Sequence, residues 1–193
     1  MNLFGYFRTN FQNDPKDITV SVAESVTAGA LSNSLCSEAG SSDFFRGGLV
    51  LYSIQSKKDL LGIDIKYAEA HNFANPFTTE EMAKAVVKKF NSRIGISTTG
   101  YSLPTKRAYD GEKGYCALDV KIPYGYVCLH DALLNHSVVV KYEFPQEEAS
   151  KNINRANVQV KLALKATQMY KKYVELIKQD DIETVDLRKS ICD

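Results

Sequence analysis

Short runs of β-branched and apolar residues alternate with amphipathic segments along most of this chain. A typical amphipathic segment is TTEEMAKAVVKKF, which begins at Thr78 and repeats its apolar residues at helical spacing. Strands that alternate with covering helices build a sheet with helices on both faces. Two late runs lie on either side of Leu134 and Asn135, which predicts an antiparallel hairpin and therefore a mixed sheet. The sequence predicts an α/β fold, a three-layer α/β/α sandwich.

The predicted elements occupy the middle of the chain. Strands are predicted over Ile18–Glu24, Leu49–Ser53, Arg93–Thr99, Tyr126–Leu129 and Ser137–Phe144. Helices are predicted over Gln55–Leu61, from Thr78 onward and over Ala156–Ile177. With 193 residues and no linker composition, we expect one domain over 18–178, an N-terminal extension over 1–17 and a C-terminal tail over 179–193.

Charge and hydropathy argue against several classes of partner. The net charge is +1, and basic residues are interleaved with acidic ones, which is not the pattern of a protein that binds nucleic acid or an anionic membrane. The sequence has no run of about 18 apolar residues, and MNLFGYFRTN lacks the apolar core of a signal peptide. We therefore expect a cytoplasmic protein that binds neither nucleic acid nor membranes.

Cysteine and histidine are too few and too scattered to indicate a metal. The four cysteines show no CxxC spacing, which argues against a zinc site and against a disulfide framework. His130 and His136 could face each other across the late hairpin, but solvated histidines at strand ends explain the same pattern. We expect neither a metal nor a cofactor.

The stretch SSDFFRGGLVLYSIQSK, residues 41–57, places Ser42, Tyr52 and Lys57 around an apolar run. A serine hydroxyl is a weak nucleophile that needs a base within hydrogen-bond distance. Lysine acts as that base only when neutral, so its ordinary pKa of about 10.4 would have to fall to near 7. Apolar packing supplies part of such a shift, and a serine–lysine pair is a known variant of triad chemistry.

These three residues meet only if the chain reverses between them. A straight strand from Ser42 to Tyr52 would span roughly 33 Å. A helix start at Ser41–Asp43 and a reversal at Gly47–Gly48 are predicted, and together they would return Tyr52 to Ser42. The other interpretation stays open: a helix N-cap, a core tyrosine and a solvated lysine. Lys58 is a second candidate for the base.

Longer motifs show a resemblance to a known family. The segments VAESVTAGALSNSL and GSSDFFRGGLVLYSIQSKKDLLGI match the family patterns A-E-S-C-T-G-G and G-S-S-x-x-F-x-G-G-x-V-x-Y-S-N-x-x-K-x-x-L-L-G-V. The similarity extends over about residues 18–175, through TTEEMAKAV, GISTTGYSLP and IPYGYVCLH. The chain resembles the C-terminal domain of CinA, a family of nicotinamide-nucleotide amidohydrolases also called PncC.

The resemblance implies hydrolysis of the carboxamide of nicotinamide mononucleotide, or of a related nucleotide amide, to the acid and ammonia. It implies that Ser42 is the nucleophile, that Lys57 is the base and that Tyr52 assists proton transfer. Substrate contacts are implied for the residues that match other family motifs: Ser25, Thr27, Gly29, Thr99, Gly100 and Arg155. No metal or cofactor is implied. The family also implies a homo-oligomer, a dimer or larger.

Some of these matches have a plainer explanation, and some positions depart from the family. Small residues over 25–29 also suit a tight junction between strand and helix, and Arg155 also suits a solvated helix start. Tyr101–Pro104 replaces a glycine-rich I-A-G-P-x-G-G loop, residues 75–81 replace H-G-A-V-S-E-E, and Ile54 replaces an asparagine. Because a bulkier loop would reshape the pocket, a second hypothesis is a catalytically altered relative that binds a nucleotide or a protein partner.

Overall fold

The computed structural model describes residues 18–107, 117–145 and 155–178. Its strands are β1 (Val20–Glu24), β2 (Phe45–Val50), β3 (Ile94–Tyr101), β4 (Thr105–Arg107), β5 (Leu118–Val120), β6 (Tyr124–Asp131) and β7 (His136–Glu143). One sheet has the order β2-β1-β3-β6-β7, and β4 pairs separately with β5. β1 is parallel to β2 and β3, whereas β6 is antiparallel to β3 and β7. The sheet is therefore mixed, as predicted.

Helices cover both faces of this sheet. They are α1 (Ala30–Cys36), α2 (Ser41–Phe44), α3 (Ile54–Leu61), α4 (Ile65–Ala70), α5 (Pro76–Phe90) and α6 (Arg155–Lys178). α1 and α6 pack on one face, and α3 and α5 pack on the other. This arrangement confirms the predicted three-layer α/β/α sandwich. The predicted extension over 1–17 and the predicted tail over 179–193 lie outside the described residues.

The central strand β1 is buried on both faces. Val20 and Val22 pack against α1 and α6, whereas Ala23 packs against α5. Successive side chains of a strand point to opposite faces. Glu24 therefore lies on the α1/α6 side, and Ser25, directly after the strand, lies on the α3/α5 side. None of the described helices is apolar over a length that would cross a membrane.

The predicted reversal at Gly47–Gly48 is wrong, because both glycines lie inside β2. A β-carbon at Gly47 would lie 2.7 Å from the Phe90 ring, and one at Gly48 would lie 2.5 Å from the Val22 side chain. Close packing against both faces of the sheet explains these glycines. The strand continues through them and carries the chain from one end of the sheet to the other.

Helix boundaries follow the predictions in part. α3 ends at Leu61, as predicted, and the left-handed Gly62 follows it. α1 begins after Gly29, whose φ is 101°. α5 begins earlier than Thr78, because the Asn75 side chain caps it by accepting the Thr78 N–H at 2.8 Å. The late hairpin and the long last helix are confirmed.

Candidate active site

A cavity of about 320 Å³ lies at the carboxyl ends of β1 and β3, beside the starts of α3 and α6. Its volume is in the range of small-molecule sites, and this end of parallel strands is the usual location of ligands in α/β sheets. Six of the residues predicted for the site line this cavity: Ser25, Tyr52, Lys57, Thr99, Gly100 and Arg155.

Lys57 is buried on α3, with only 4% of its surface exposed. Its Nζ donates a hydrogen bond of 3.0 Å to Ser25 Oγ and another of 2.6 Å to the carbonyl oxygen of Leu51. Burial lowers the pKa of Lys57 to about 8, because desolvation penalises the charged form. The solvated-lysine interpretation is therefore wrong. Lys58, the second candidate for the base, is exposed.

Ser25 is held by the backbone of the neighbouring strand. Its N–H donates to the carbonyl oxygen of Thr98 at 2.9 Å, which extends the pairing of β1 with β3 by one residue. The side chain lies on the same side of the sheet as Lys57 and faces the cavity. A serine hydroxyl beside an amine of lowered pKa is the arrangement that activates a nucleophile.

Ser42 lies at the opposite end of the sheet. β2 begins at Phe45 beside Val20 and ends at Val50 beside Glu24. Ser42 is exposed on α2, before the strand, so the length of β2 separates it from the cavity by roughly 17 Å. The predicted convergence of Ser42 with the tyrosine and the lysine is wrong, since it required a reversal that the chain does not make.

Tyr52 and Arg155 form the rim of the cavity. Tyr52 is 59% exposed, so it is not a core tyrosine. Its Oη accepts a hydrogen bond of 2.6 Å from the guanidinium of Arg155, at the start of α6. Lys57 reaches Ser25 directly, so a proton path between these two residues requires no tyrosine.

Thr27 and Gly29 were predicted to contact substrate, but neither lines the cavity. Thr27 is 1% exposed, and its hydroxyl donates to Glu24 Oε2 at 2.7 Å and lies 2.6 Å from Thr98 Oγ1. The N–H of Gly29 donates to the same carboxylate oxygen at 2.9 Å. Both belong to the junction of β1 with α1, on the other side of the sheet. Thr27 and Gly29 therefore form a tight junction of strand and helix, which was the plainer interpretation of this turn.

Thr99 and Gly100 lie where β3 extends past the end of β1. Because the carbonyl of Thr98 accepts from Ser25, the backbone groups of Thr98 face β1. Backbone groups alternate in direction along a strand, so the N–H and the carbonyl of Gly100, two residues later, also point toward the β1 side. Because β1 has ended there, they face the cavity. The Thr99 hydroxyl lies 2.7 Å from Thr79 Oγ1 of α5.

Two residues of the cavity wall were not predicted as site residues from the sequence. Phe73 and Tyr101 line the cavity, and the Tyr101 hydroxyl donates to the carbonyl oxygen of Asn72 at 2.9 Å. Asn72 and Phe73 are both left-handed, with φ of 57° and 60°. The sequence departs from the family pattern at residues 75–81 and at Tyr101–Pro104. These departures could have indicated the altered cavity wall, because Tyr101 contacts Asn72, close to residue 75.

No group of three or more His, Cys, Asp and Glu side chains within the described ranges could hold a metal ion. His130 does not face His136 across the hairpin, because the register pairs His130 with Ser137 and places their side chains 3.0 Å apart. Burial is the main cause that lowers the pKa of His130. These histidines lie away from the cavity and do not contribute to the site.

Comparison with known proteins agrees with the resemblance in the sequence. The CinA C-terminal domain model matches residues 10–170. A CinA-like protein of Flavobacterium psychrophilum is 34% identical over 110 residues, which are 57% of this chain and 26% of that protein. A CinA-like protein of Rippkaea orientalis is 43% identical over 89 residues, which are 46% of this chain and 21% of that protein. The chain thus spans about a quarter or less of these curated relatives.

Solved structures share the fold at low identity. The competence damage-inducible protein A of Klebsiella pneumoniae has a TM-score of 0.64 at 19% identity, over 84% of this chain and 88% of that one. A CinA superfamily protein of Enterobacter cloacae has a TM-score of 0.63 at 22% identity, over 83% of each chain. The family match covers most of the sequence, and the fold agrees with it. The chain belongs to the CinA C-terminal domain family.

Proposed function

We propose that the protein is an amidohydrolase that converts the carboxamide of nicotinamide mononucleotide, or of a related nucleotide amide, to the acid and ammonia. The observation that carries this proposal is the pairing of Ser25 Oγ with Lys57 Nζ at 3.0 Å, inside a cavity of small-molecule size. Ser25 takes the role of nucleophile that the family resemblance assigned to Ser42. Lys57 keeps the role of base.

In the first half of the reaction, neutral Lys57 accepts the proton of Ser25 as Oγ attacks the amide carbonyl carbon. The carbonyl π electrons move to the oxygen, and a tetrahedral intermediate forms. The lysine then returns the proton to the amide nitrogen as the C–N bond breaks and ammonia leaves. In the second half, Lys57 deprotonates a water molecule that hydrolyses the Ser25 ester. The acid is released, and the serine regains its proton.

The oxyanion of the intermediate needs a donor near Ser25. The first N–H groups of α1 are not available, because those of Gly29, Leu31 and Ser32 donate to the carboxylate of Glu24. The backbone of Gly100 faces the cavity past the end of β1, and its N–H is the donor that we assign. A β-carbon at Gly100 would lie 2.2 Å from the carbonyl oxygen of Tyr124, so this approach requires glycine.

The outer part of the cavity suits a nucleotide. Tyr52, Phe73 and Tyr101 supply aromatic rings for a planar base, and Arg155 supplies a cation for a phosphate. Burial raises the pKa of Tyr101, so this hydroxyl stays neutral near pH 7. An aromatic amide that carries one anionic group matches this distribution of rings and charge.

Ammonia release over a panel of carboxamide nucleotides and nucleosides tests the proposal. We expect release from at least one pyridine or purine carboxamide nucleotide, and none from the Ser25→Ala protein, which serves as the blank. Failure of the folded wild-type protein on the whole panel would reject the amidohydrolase. Binding of the same compounds, followed by calorimetry, would then support the alternative of a nucleotide-binding relative.

A further inference from the structure

The carboxylate of Glu24 is fully buried at the end of β1, directly before Ser25. Five hydrogen bonds reach it from the β1–α1 junction. Oε2 accepts from the Thr27 hydroxyl and from the N–H groups of Gly29 and Leu31, at 2.7, 2.9 and 3.0 Å. Oε1 accepts from the N–H and the hydroxyl of Ser32, at 2.8 and 2.5 Å.

The junction held by this carboxylate is a strained piece of backbone. Ala28 and Gly29 both have positive φ, of 51° and 101°. Ala28 has a β-carbon and therefore adopts this conformation at a cost. A buried charge is retained only when its hydrogen bonds are satisfied, and here the donors come from the segment that follows Ser25. The carboxylate and the junction therefore fix each other.

The backbone on the other side of Ser25 is also held. The carbonyl oxygen of Glu24 accepts the N–H of Leu51 at 2.6 Å, and the N–H of Ser25 donates to Thr98 at 2.9 Å. Glu24 and Ser25 point to opposite faces of the sheet, so the carboxylate lies on the α1/α6 side and the hydroxyl lies beside Lys57. Glu24 thus has no contact with the reacting atoms.

We propose that Glu24 is a positioning residue, which holds the β1–α1 junction so that Ser25 Oγ stays within hydrogen-bond distance of Lys57 Nζ. The effect of Glu24 on the reaction rests on the proposed function. Its effect on the distance between Ser25 Oγ and Lys57 Nζ does not. Displacement of a reacting group by about 1 Å can cost about a hundredfold in rate, so the position of a serine on a junction of this kind matters.

Glutamine tests this role because it keeps the shape but not the five acceptor sites. Either orientation of the amide turns its NH2 toward at least one backbone donor: Gly29 and Leu31 on one side, Ser32 on the other. Donor would then face donor, and the junction would shift. Thr27→Val is a milder change that removes one hydroxyl, and Thr27→Ser restores it. Glu175→Gln on exposed α6 is the matched control.

For Glu24→Gln we expect kcat to fall at least tenfold with KM within about twofold of wild type, because the outer cavity stays intact. The midpoint of the pH profile should stay in place, since burial, and not the contact with Ser25, lowers the pKa of Lys57. Thr27→Val should lose less, Thr27→Ser should recover, and Glu175→Gln should match wild type. A protein that is merely less stable, with unchanged kcat at a temperature where it is folded, would overturn the proposal.

A crystal structure of the Glu24→Gln protein gives a readout that does not depend on activity. We expect the distance between Ser25 Oγ and Lys57 Nζ to open beyond about 3.5 Å, outside hydrogen-bond range. Should wild type release no ammonia, the proposed function fails, and this distance alone decides the role of Glu24. A distance that stays at the wild-type value overturns it. If Glu24→Gln does not fold, the same measurement on Thr27→Val decides.

Discussion

Lys57 Nζ lies 3.0 Å from Ser25 Oγ, although the two residues are 32 positions apart in the chain. Leu51 connects them. Its N–H donates to the carbonyl oxygen of Glu24 at 2.6 Å, and its own carbonyl accepts from Lys57 at 2.6 Å. The parallel pairing of β2 with β1 thus continues for one residue past the end of β2 and places the start of α3 at the end of β1.

Replacement of the two candidate serines should separate the two assignments of the nucleophile. We expect Ser25→Ala to lower ammonia release by about a thousandfold or more, because no nucleophile remains beside the lysine. Ser42→Ala should stay within about twofold of wild type, since the exposed helix α2 lies at the far end of the sheet. Loss of activity in Ser42→Ala with retention in Ser25→Ala would reverse the assignment.

The rate should rise with pH through the pKa of Lys57. That pKa is about 8, and the neutral amine is the base, so activity is low below this value and reaches a plateau above it. At pH 7 about a tenth of the molecules carry the neutral form. A pH profile of kcat/KM between about pH 6 and 10 measures this. Lys57→Arg stays charged and is the inactive control; a flat wild-type profile would contradict lysine as the base.

The same ionisation should affect stability. The pKa of Lys57 is about 8 in the folded protein and about 10.5 when unfolded, so the unfolded state binds more protons between these values. The free energy of unfolding therefore rises with pH across that window, and the cost of burying the ammonium is full below about pH 8. In Lys57→Met this dependence is lost.

Urea denaturation at pH 7 and pH 10 measures this difference. From the two pKa values, the stability of Lys57→Met relative to wild type should fall by roughly 2 kcal/mol between pH 7 and pH 10. The comparison within each pH cancels the effects of other groups that titrate. Equal differences at the two pH values would show that the buried amine does not carry a lowered pKa.

Arg155 should act on substrate binding rather than on the chemical step. Its guanidinium bonds to Tyr52 at the rim of the cavity, away from the serine–lysine pair. Arg155→Ala should raise KM about tenfold for a phosphorylated substrate, with kcat nearly unchanged and with little effect on the matching nucleoside. Lys161→Ala, an exposed cation on the same helix, is the control. An equal change for nucleotide and nucleoside would argue against a phosphate contact.

Ala28 offers a test of backbone strain next to Ser25. Its φ is 51°, a region in which glycine is favoured over residues with a β-carbon. We expect Ala28→Gly to raise the free energy of unfolding by about 0.5–1 kcal/mol. Gly29→Ala, at φ of 101°, is the opposite change and should destabilise even though a β-carbon there would only touch Val50 at 3.8 Å. Denaturation curves of both variants decide; a loss of stability in Ala28→Gly would contradict strain.

Much of the fold could be predicted because its signals are local. The apolar spacing of Ala156–Ile177 gave a helix that the structure has as α6, and the runs around Leu134 and Asn135 gave the pairing of β6 with β7. The end of α3 at Leu61 was predicted as well, and the left-handed Gly62 follows it. Lys57 was identified as a base candidate, and the structure buries it at the cavity.

The serine could not be chosen on the same grounds. Gly47 and Gly48 are typical of a turn when read along the chain, and only Phe90 and Val22, which come from other elements, show that these glycines allow close packing inside a strand. Likewise, the Tyr101 hydroxyl donates to the carbonyl oxygen of Asn72, and nothing in either local sequence indicates that contact.

The sequence by itself determined the alternation of strands and helices, the family, and a lysine beside an apolar run. Periodicity and capping depend on neighbours in the chain, so these features can be predicted from it. The tertiary structure decided which hydroxyl meets that lysine, because the meeting depends on the parallel register of β1 with β2. That register places Ser25 and Lys57 at one end of the sheet and Ser42 at the other. The six residues of β2 span a distance far longer than a hydrogen bond, so Ser42 does not reach the lysine.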